Sequence, residues 1–102
     1  MSIWAKVCRL DEIPRRGSCV VSHQDIRIAV FRAADDQVFA LHDVCPHKGG
    51  PLSQGIVHGH RVTCPLHGRI LELASGEVCA PDQGCARRYE TRVEDGEVFL
   101  AL

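Results

Sequence analysis

The chain reads as all-β, a sandwich of short antiparallel strands, and three observations carry that reading. Apolar residues recur in short alternating or β-branched runs. Turn-forming residues interrupt those runs every several positions. The 3.6-residue periodicity of an amphipathic helix is hard to find anywhere.

Taken in order, Ile3–Val7, Cys19–Ser22, Arg27–Arg32 and Val38–His42 are predicted strands, with turns at Pro14–Gly17, His23–Asp25 and Ala33–Gln37. Leu10–Ile13 reads as a single helical turn that stops at Pro14, whose ring carries no N–H to continue it. Gly55–Val57 and Arg61–Cys64 are expected to form a hairpin around His58-Gly59. Arg69–Leu73 is a further strand, closed by Ser75-Gly76. At the end, Arg88–Val93 and Glu97–Leu100 flank Asp95-Gly96, a pair that suits the positive φ angles of a two-residue hairpin loop. With 102 residues and no repeat or linker, residues 1–102 are expected to form one domain. Within it, roughly residues 43–85 are denser in Gly, Pro, Cys and His than either flank, as a site-bearing loop subdomain would be.

Twelve basic residues against thirteen acidic ones leave a formal charge of −1, so no basic face for nucleic acid or anionic lipid is indicated. The N-terminal stretch lacks a long apolar core and already carries Asp11 and Glu12, unlike a secretory signal. No apolar run approaches the roughly 20 residues of a membrane helix. A soluble, cytoplasmic protein is the expectation. In that reducing compartment six cysteines are thiols or metal ligands before they are disulfides.

Two Cys/His pairs carry the chemistry. Cys45-x-His47 is followed, after sixteen residues, by Cys64-x-x-His67, and each pair lies inside a Pro/Gly-rich turn. The hairpin expected between them could bring the two turns together. Thiolate plus neutral imidazole is the ligand set of zinc or of a mixed iron–sulfur cluster. A structural zinc module would use the same two thiolates and two imidazoles, although its usual knuckle is C-x-x-C. The bland alternative is two unrelated loops. Elsewhere, Cys8 and Cys19 read as small buried hydrophobes and Trp4 as a packing residue. Cys79 and Cys85 flank Pro81 closely enough for a bridge to be conceivable. His23, His42, His58 and His60 read as solvated loop residues, with His42 nearest the first pair in sequence. Lys48 and Arg69 are surface charges that could steer an acidic partner.

The C-x-H-x16-C-x-x-H pattern resembles the Rieske 2Fe-2S motif. That resemblance implies a Rieske iron–sulfur domain in which Cys45 and Cys64 hold the inner iron and His47 and His67 the outer one. Replacing two thiolates by neutral imidazoles makes the centre less negative, which raises its potential to roughly −150 to +300 mV. Gly49, Gly50 and Gly68 would let backbone N–H groups come close to the cluster, and Pro46 and Pro65 would stiffen the turns. Ala80-Pro81 resembles the proline-bearing third loop that covers the cluster in this family. The respiratory branch carries an extra cysteine in each ligand loop; the matching positions here are Gly50 and Leu66, so no bridge can form. That branch also has hydroxyl side chains where this chain has Arg69 and Leu71. Fewer donors to the cluster imply a potential near the low end of the range, the ferredoxin type.

The flanking runs sharpen the resemblance. IAVFRAADDQVFAL, CPHKGGPLSQGIV and YETRVEDGEVFL, with the opening W-x-x-V-C-x-L-D-E-I-P, are similar to the small subunit of assimilatory NAD(P)H-dependent nitrite reductase. Some members of that family lack the cluster ligands, and this chain keeps all four. The resemblance implies a large partner subunit with flavin, an iron–sulfur cluster and siroheme, which together reduce nitrite to ammonium. The alternative with the same motif is the Rieske ferredoxin of an aromatic-ring dioxygenase, serving a flavoprotein reductase and an oxygenase. Neither reading gives the chain a substrate site of its own: no nucleophile triad, phosphate-binding Gly loop or paired catalytic carboxylates are evident.

Overall fold

The computed structural model describes residues 3–46, 49–66 and 68–102. Among them are ten strands: β1 (Trp4–Arg9), β2 (Gly17–His23), β3 (Ile26–Arg32), β4 (Val38–His42), β5 (Ile56–His58), β6 (Arg61–Thr63), β7 (Ile70–Glu72), β8 (Arg88–Tyr89), β9 (Thr91–Glu94) and β10 (Glu97–Ala101). All pairings are antiparallel. They make three sheets, ordered β1-β10-β9, β2-β3-β4-β8 and β5-β6-β7.

The central sheet divides the interior in two. On β3, Ile28 and Val30 face one core and Ala29 and Phe31 the other; on β4, Val38 and Ala40 alternate with Phe39 and Leu41 in the same way. A strand covered on both faces loses the polar half of its alternation, which is why Ile28–Phe31 is a continuous apolar run. The first core lies against Val98 and Leu100 of β10, with Ile13 and Tyr89. The second lies against the small β5-β6-β7 sheet, through Val57, Val62 and Leu71, and it contains Cys45 and Cys64.

Turn chemistry sets the register. Gln24 and Asp25 join β2 to β3, and both have positive φ (50° and 66°). Asp95 and Gly96 do the same between β9 and β10 (51° and 76°), as the sequence predicts. The Leu10 turn is a short 3-10 helix, Leu10–Glu12, in which the Glu12 carboxylate accepts the Arg9 N–H at 2.7 Å.

Two expectations need correction, and one element is added. The β5–β6 hairpin turns at Gly59-His60, one residue later than expected, because His58 pairs with Arg61 and Gly59 supplies the positive φ. Leu52–Gln54 forms an additional 3-10 turn, buried through Leu52. The strand expected over Arg88–Val93 breaks at Glu90: β8 pairs with β4 in one sheet and β9 with β10 in another. The Thr91 hydroxyl donates to the Val38 carbonyl at 2.7 Å, so the crossing chain stitches the two sheets together. No helix among the described residues is long and apolar enough to cross a membrane.

Candidate metal centre

The two cysteine turns share one backbone frame. In the first, the Cys45 N–H donates to the Gly50 carbonyl at 2.7 Å and the Gly49 N–H to the Cys45 carbonyl at 2.8 Å. In the second, the Cys64 N–H donates to the Arg69 carbonyl at 2.7 Å and the Gly68 N–H to the Cys64 carbonyl at 3.2 Å. Each is a five-residue turn closed onto its cysteine. Gly49 and Gly68 occupy the matching place in the two turns and both lie in the left-handed region, at φ 75° and 70°. A side chain there would strain the backbone, so the turn itself favours glycine at both places. In sequence, His47 and His67 fall inside the segments these hydrogen bonds close. His47, Lys48 and His67 lie outside the described residues.

The turns also meet. Cys45 and Cys64 are each 2% exposed and belong to the same core. Gly50 is buried, and a Cβ on it would fall 2.7 Å from Cδ1 of Leu66. The two positions matched to the bridge-forming cysteines of the respiratory branch are therefore neighbours here, filled by a glycine and a leucine. A third loop reaches both. The Cys79 N–H donates to the Ile70 carbonyl at 2.7 Å, and a Cβ on Gly84 would pack 3.4 Å from Pro46. Asp82 pairs with Arg69 at 3.3 Å. Pro81, after a cis Ala80–Pro81 peptide, sits within this loop. Arg69 therefore ties two loops of the site together, rather than serving simply as an outward charge.

Asp43 is a feature that local sequence rules do not reveal. It is the one buried charged residue among the described residues, with a side chain 0% exposed, two positions before Cys45. Its carboxylate accepts the Ser53 N–H at 2.7 Å and the Ser53 hydroxyl at 2.9 Å, with Arg27 at 3.7 Å. The Asp43 N–H donates to the Arg27 carbonyl at 2.9 Å. The aspartate thus fastens the start of the first turn to β3 and to the Leu52–Gln54 turn. The sequence signal would have been an Asp ending an apolar strand, with a Ser ten residues on, but no local rule links them.

The remaining candidates separate from the site. His60 Nε2 lies 2.9 Å from Asp35, which depresses that carboxyl's pKa chiefly through the hydrogen bond. His58 Nε2 lies 2.7 Å from the Thr63 hydroxyl, so neither histidine is a purely solvated residue. Trp4 is 36% exposed and stacks under the Arg92 guanidinium, 4.4 Å from the ring centre, so it packs at the surface. Cys79 and Cys85 are free thiols. Cys8 and Cys19, expected to be buried, are half-exposed and face one another.

Two buried thiols in matched, glycine-closed turns, brought into one core with an imidazole in each segment, fit a centre with mixed thiolate and imidazole ligation. Residues 3–101 match the Rieske-like [2Fe-2S] domain family. The chain belongs to that family. It is a Rieske electron-transfer protein, and its cofactor is a 2Fe-2S cluster. The nitrite reductase (NADH) small subunit of Escherichia coli K12 is 35% identical over 107 aligned residues, covering 98% of each chain. The anthranilate 1,2-dioxygenase ferredoxin subunit of Burkholderia cepacia is 43% identical over 72 residues, covering 70% of this chain and 66% of that one. Among solved structures, the complex of reduced oxygenase and oxidised ferredoxin in carbazole 1,9a-dioxygenase contains a similar chain. Its TM-score is 0.85 at 30% identity, with 97% of this chain and 93% of that one covered.

Proposed function

We propose that this Rieske protein is the electron-transfer small subunit of a cytoplasmic NAD(P)H-dependent nitrite reductase. The end-to-end match to the nitrite reductase small subunit supports this reading: 98% of both chains align, so the similarity is not confined to the two Cys/His segments. Cys45, His47, Cys64 and His67 are proposed as the ligands. When bound, the cluster supplies reversible one-electron chemistry at a potential lifted by its two neutral imidazole ligands. The protein's own residues supply the setting. Burial of Cys45 and Cys64 shields the thiolate side from water, and Gly49 and Gly68 let each turn close. Gly50 lies against Leu66 of the other turn, and the Pro81 loop reaches both turns through Gly84 beside Pro46 and Asp82 beside Arg69. Val44, just before the first turn, and Leu66, within the second, are 38% and 53% exposed and offer apolar contact to a partner subunit.

Two experiments test the proposal in sequence. An EPR spectrum of anaerobically purified, dithionite-reduced protein should give a rhombic signal with an average g below that of an all-cysteine cluster. A colourless protein holding stoichiometric zinc would refute the redox reading, because zinc takes the same two thiolates and two imidazoles. Purified with the siroheme flavoprotein of its own genome, the chain should form a complex that oxidises NAD(P)H on addition of nitrite. The 43% identity to a dioxygenase ferredoxin favours a second reading, electron delivery to a ring-hydroxylating oxygenase. Oxygenase reduction without any siroheme-protein complex would establish that reading instead.

A further inference from the structure

Cys8 and Cys19 lie far apart from the ligand turns in the packing, against the other core. Their sulfurs are 3.9 Å apart, and both residues are half-buried. The approach has a structural cause in β1. Lys6 pairs with Phe99 but Cys8 with Val98, so Val7 is an extra residue in the ladder. Regular alternation would have sent Cys8 to the same face as Lys6. The bulge instead sets it opposite Val98, which is fully buried in the first core. Cys19, opposite Val30 on β3, looks into the same core from β2.

The place matters as much as the distance. β1 is an edge of the β1-β10-β9 sheet and β2 an edge of the central sheet. On the far side these two sheets are joined by continuous chain through Glu90 and by the Thr91–Val38 hydrogen bond. On the near side β1 and β2 share no ladder. Residues 10–16 connect them, held to β3 where the Arg32 guanidinium donates to the Leu10 and Ile13 carbonyls, and the two thiols face one another across the seam.

We infer that Cys8 and Cys19 are a redox-modifiable pair that forms a reversible disulfide by exchange with a small-molecule disulfide, stapling the ladder-free seam between β1 and β2. The sulfurs must close from 3.9 Å to about 2.05 Å, a movement that side-chain rotation on two edge strands can supply. In the exchange, the Cys19 thiolate attacks one sulfur of the small disulfide, whose S–S bond breaks and releases one thiolate. Cys8 then loses its proton, attacks Cys19 Sγ in the mixed disulfide and expels the second thiolate. The protein gives up two electrons and two protons, and the small disulfide becomes two thiols. Burial raises both thiols, Cys8 to about 12, while the hydrogen bond with Cys8 offsets part of the rise at Cys19. Exchange therefore starts at Cys19 and is slow, because the thiolate is the reactive form.

The test uses cluster-loaded protein held overnight under argon with oxidised glutathione, then alkylated and digested with trypsin without reduction. Trypsin separates Val7–Arg9 from Gly17–Arg27. The expected product is those two peptides joined, two hydrogens lighter than their sum. The treated protein should gain about 5 °C or more in Tm, because a short loop is closed in the unfolded chain. Dithiothreitol should reverse both effects, and a Cys19→Ser variant should show neither. Alkylated or glutathione-bearing Cys8 and Cys19 without the linked peptide would overturn the inference. A linked peptide with no rise in Tm would overturn the stapling role.

Discussion

Each face of the β3–β4 ladder holds a pair of cysteines, and the two pairs are built differently. Cys45 and Cys64 sit in turns, are buried, and have their backbone groups closed by hydrogen bonds that leave a glycine at the same place in each. Cys8 and Cys19 sit in strands, are half-exposed, and meet through a bulge rather than a turn. The difference shows what makes a thiol pair suited to a metal. A turn can present a sulfur and a neighbouring imidazole from one short segment, whereas a strand sends its neighbours to opposite faces. The strand pair can bond to itself; the turn pair can share a centre.

Mutating the pairs in parallel is the most forceful way to break this comparison. Cys45→Ala or Cys64→Ala should reduce bound iron at least tenfold, measured anaerobically, because a missing thiolate cannot be replaced from the surrounding apolar core. Cys8→Ser should leave iron content unchanged. Equal iron loss from both pairs would dissolve the distinction. Removing the cluster probes the same contrast without mutation. The amides of Cys45, Gly49, Cys64 and Gly68 should then exchange with solvent at least tenfold faster, while those of β3 keep their protection. Equal protection with and without metal would mean that the turns hold their shape unaided.

Smaller changes sharpen the contrast between the two turns. The first is moored to the scaffold by Asp43, the second to the third loop by the Arg69–Asp82 pair. Asp43→Ala leaves the Ser53 N–H and hydroxyl without their acceptor, at a cost of about 2–4 kcal/mol by denaturant titration. A loss under about 1 kcal/mol would show that the mooring is redundant. Gly50→Ala should cost about 1 kcal/mol, the low end for overpacking, because the Leu66 side chain it meets is 53% exposed and can swing aside. Adding Leu66→Ala should recover most of that loss; strict additivity would show that the turns do not press on one another.

How much of this was legible depends on how local each cause is. The Asp95-Gly96 hairpin was readable because both residues that adopt positive φ are adjacent. The cysteine turns were readable as Pro/Gly turns, but the positive φ that Gly49 and Gly68 adopt was not foreseen. The break at Glu90 was not, since a period-two pattern runs through Arg88–Val93 whether its residues pair with β4 or with β10. Asp43 was hidden because its partners, Arg27 and Ser53, stand on other elements. The Cys8–Cys19 approach was hidden because a bulge has no signature in one strand alone; it is defined by the partner strand's register.

By itself, the sequence determined the all-β class, the Asp95-Gly96 hairpin and the placing of each Cys/His pair in a Pro/Gly turn, each set by residues within a few positions of one another. Tertiary structure alone decided which sheet each strand joins, which charge could be buried, and which thiols face each other. Those outcomes depend on contacts between segments remote in the chain, where packing and pairing override local preference.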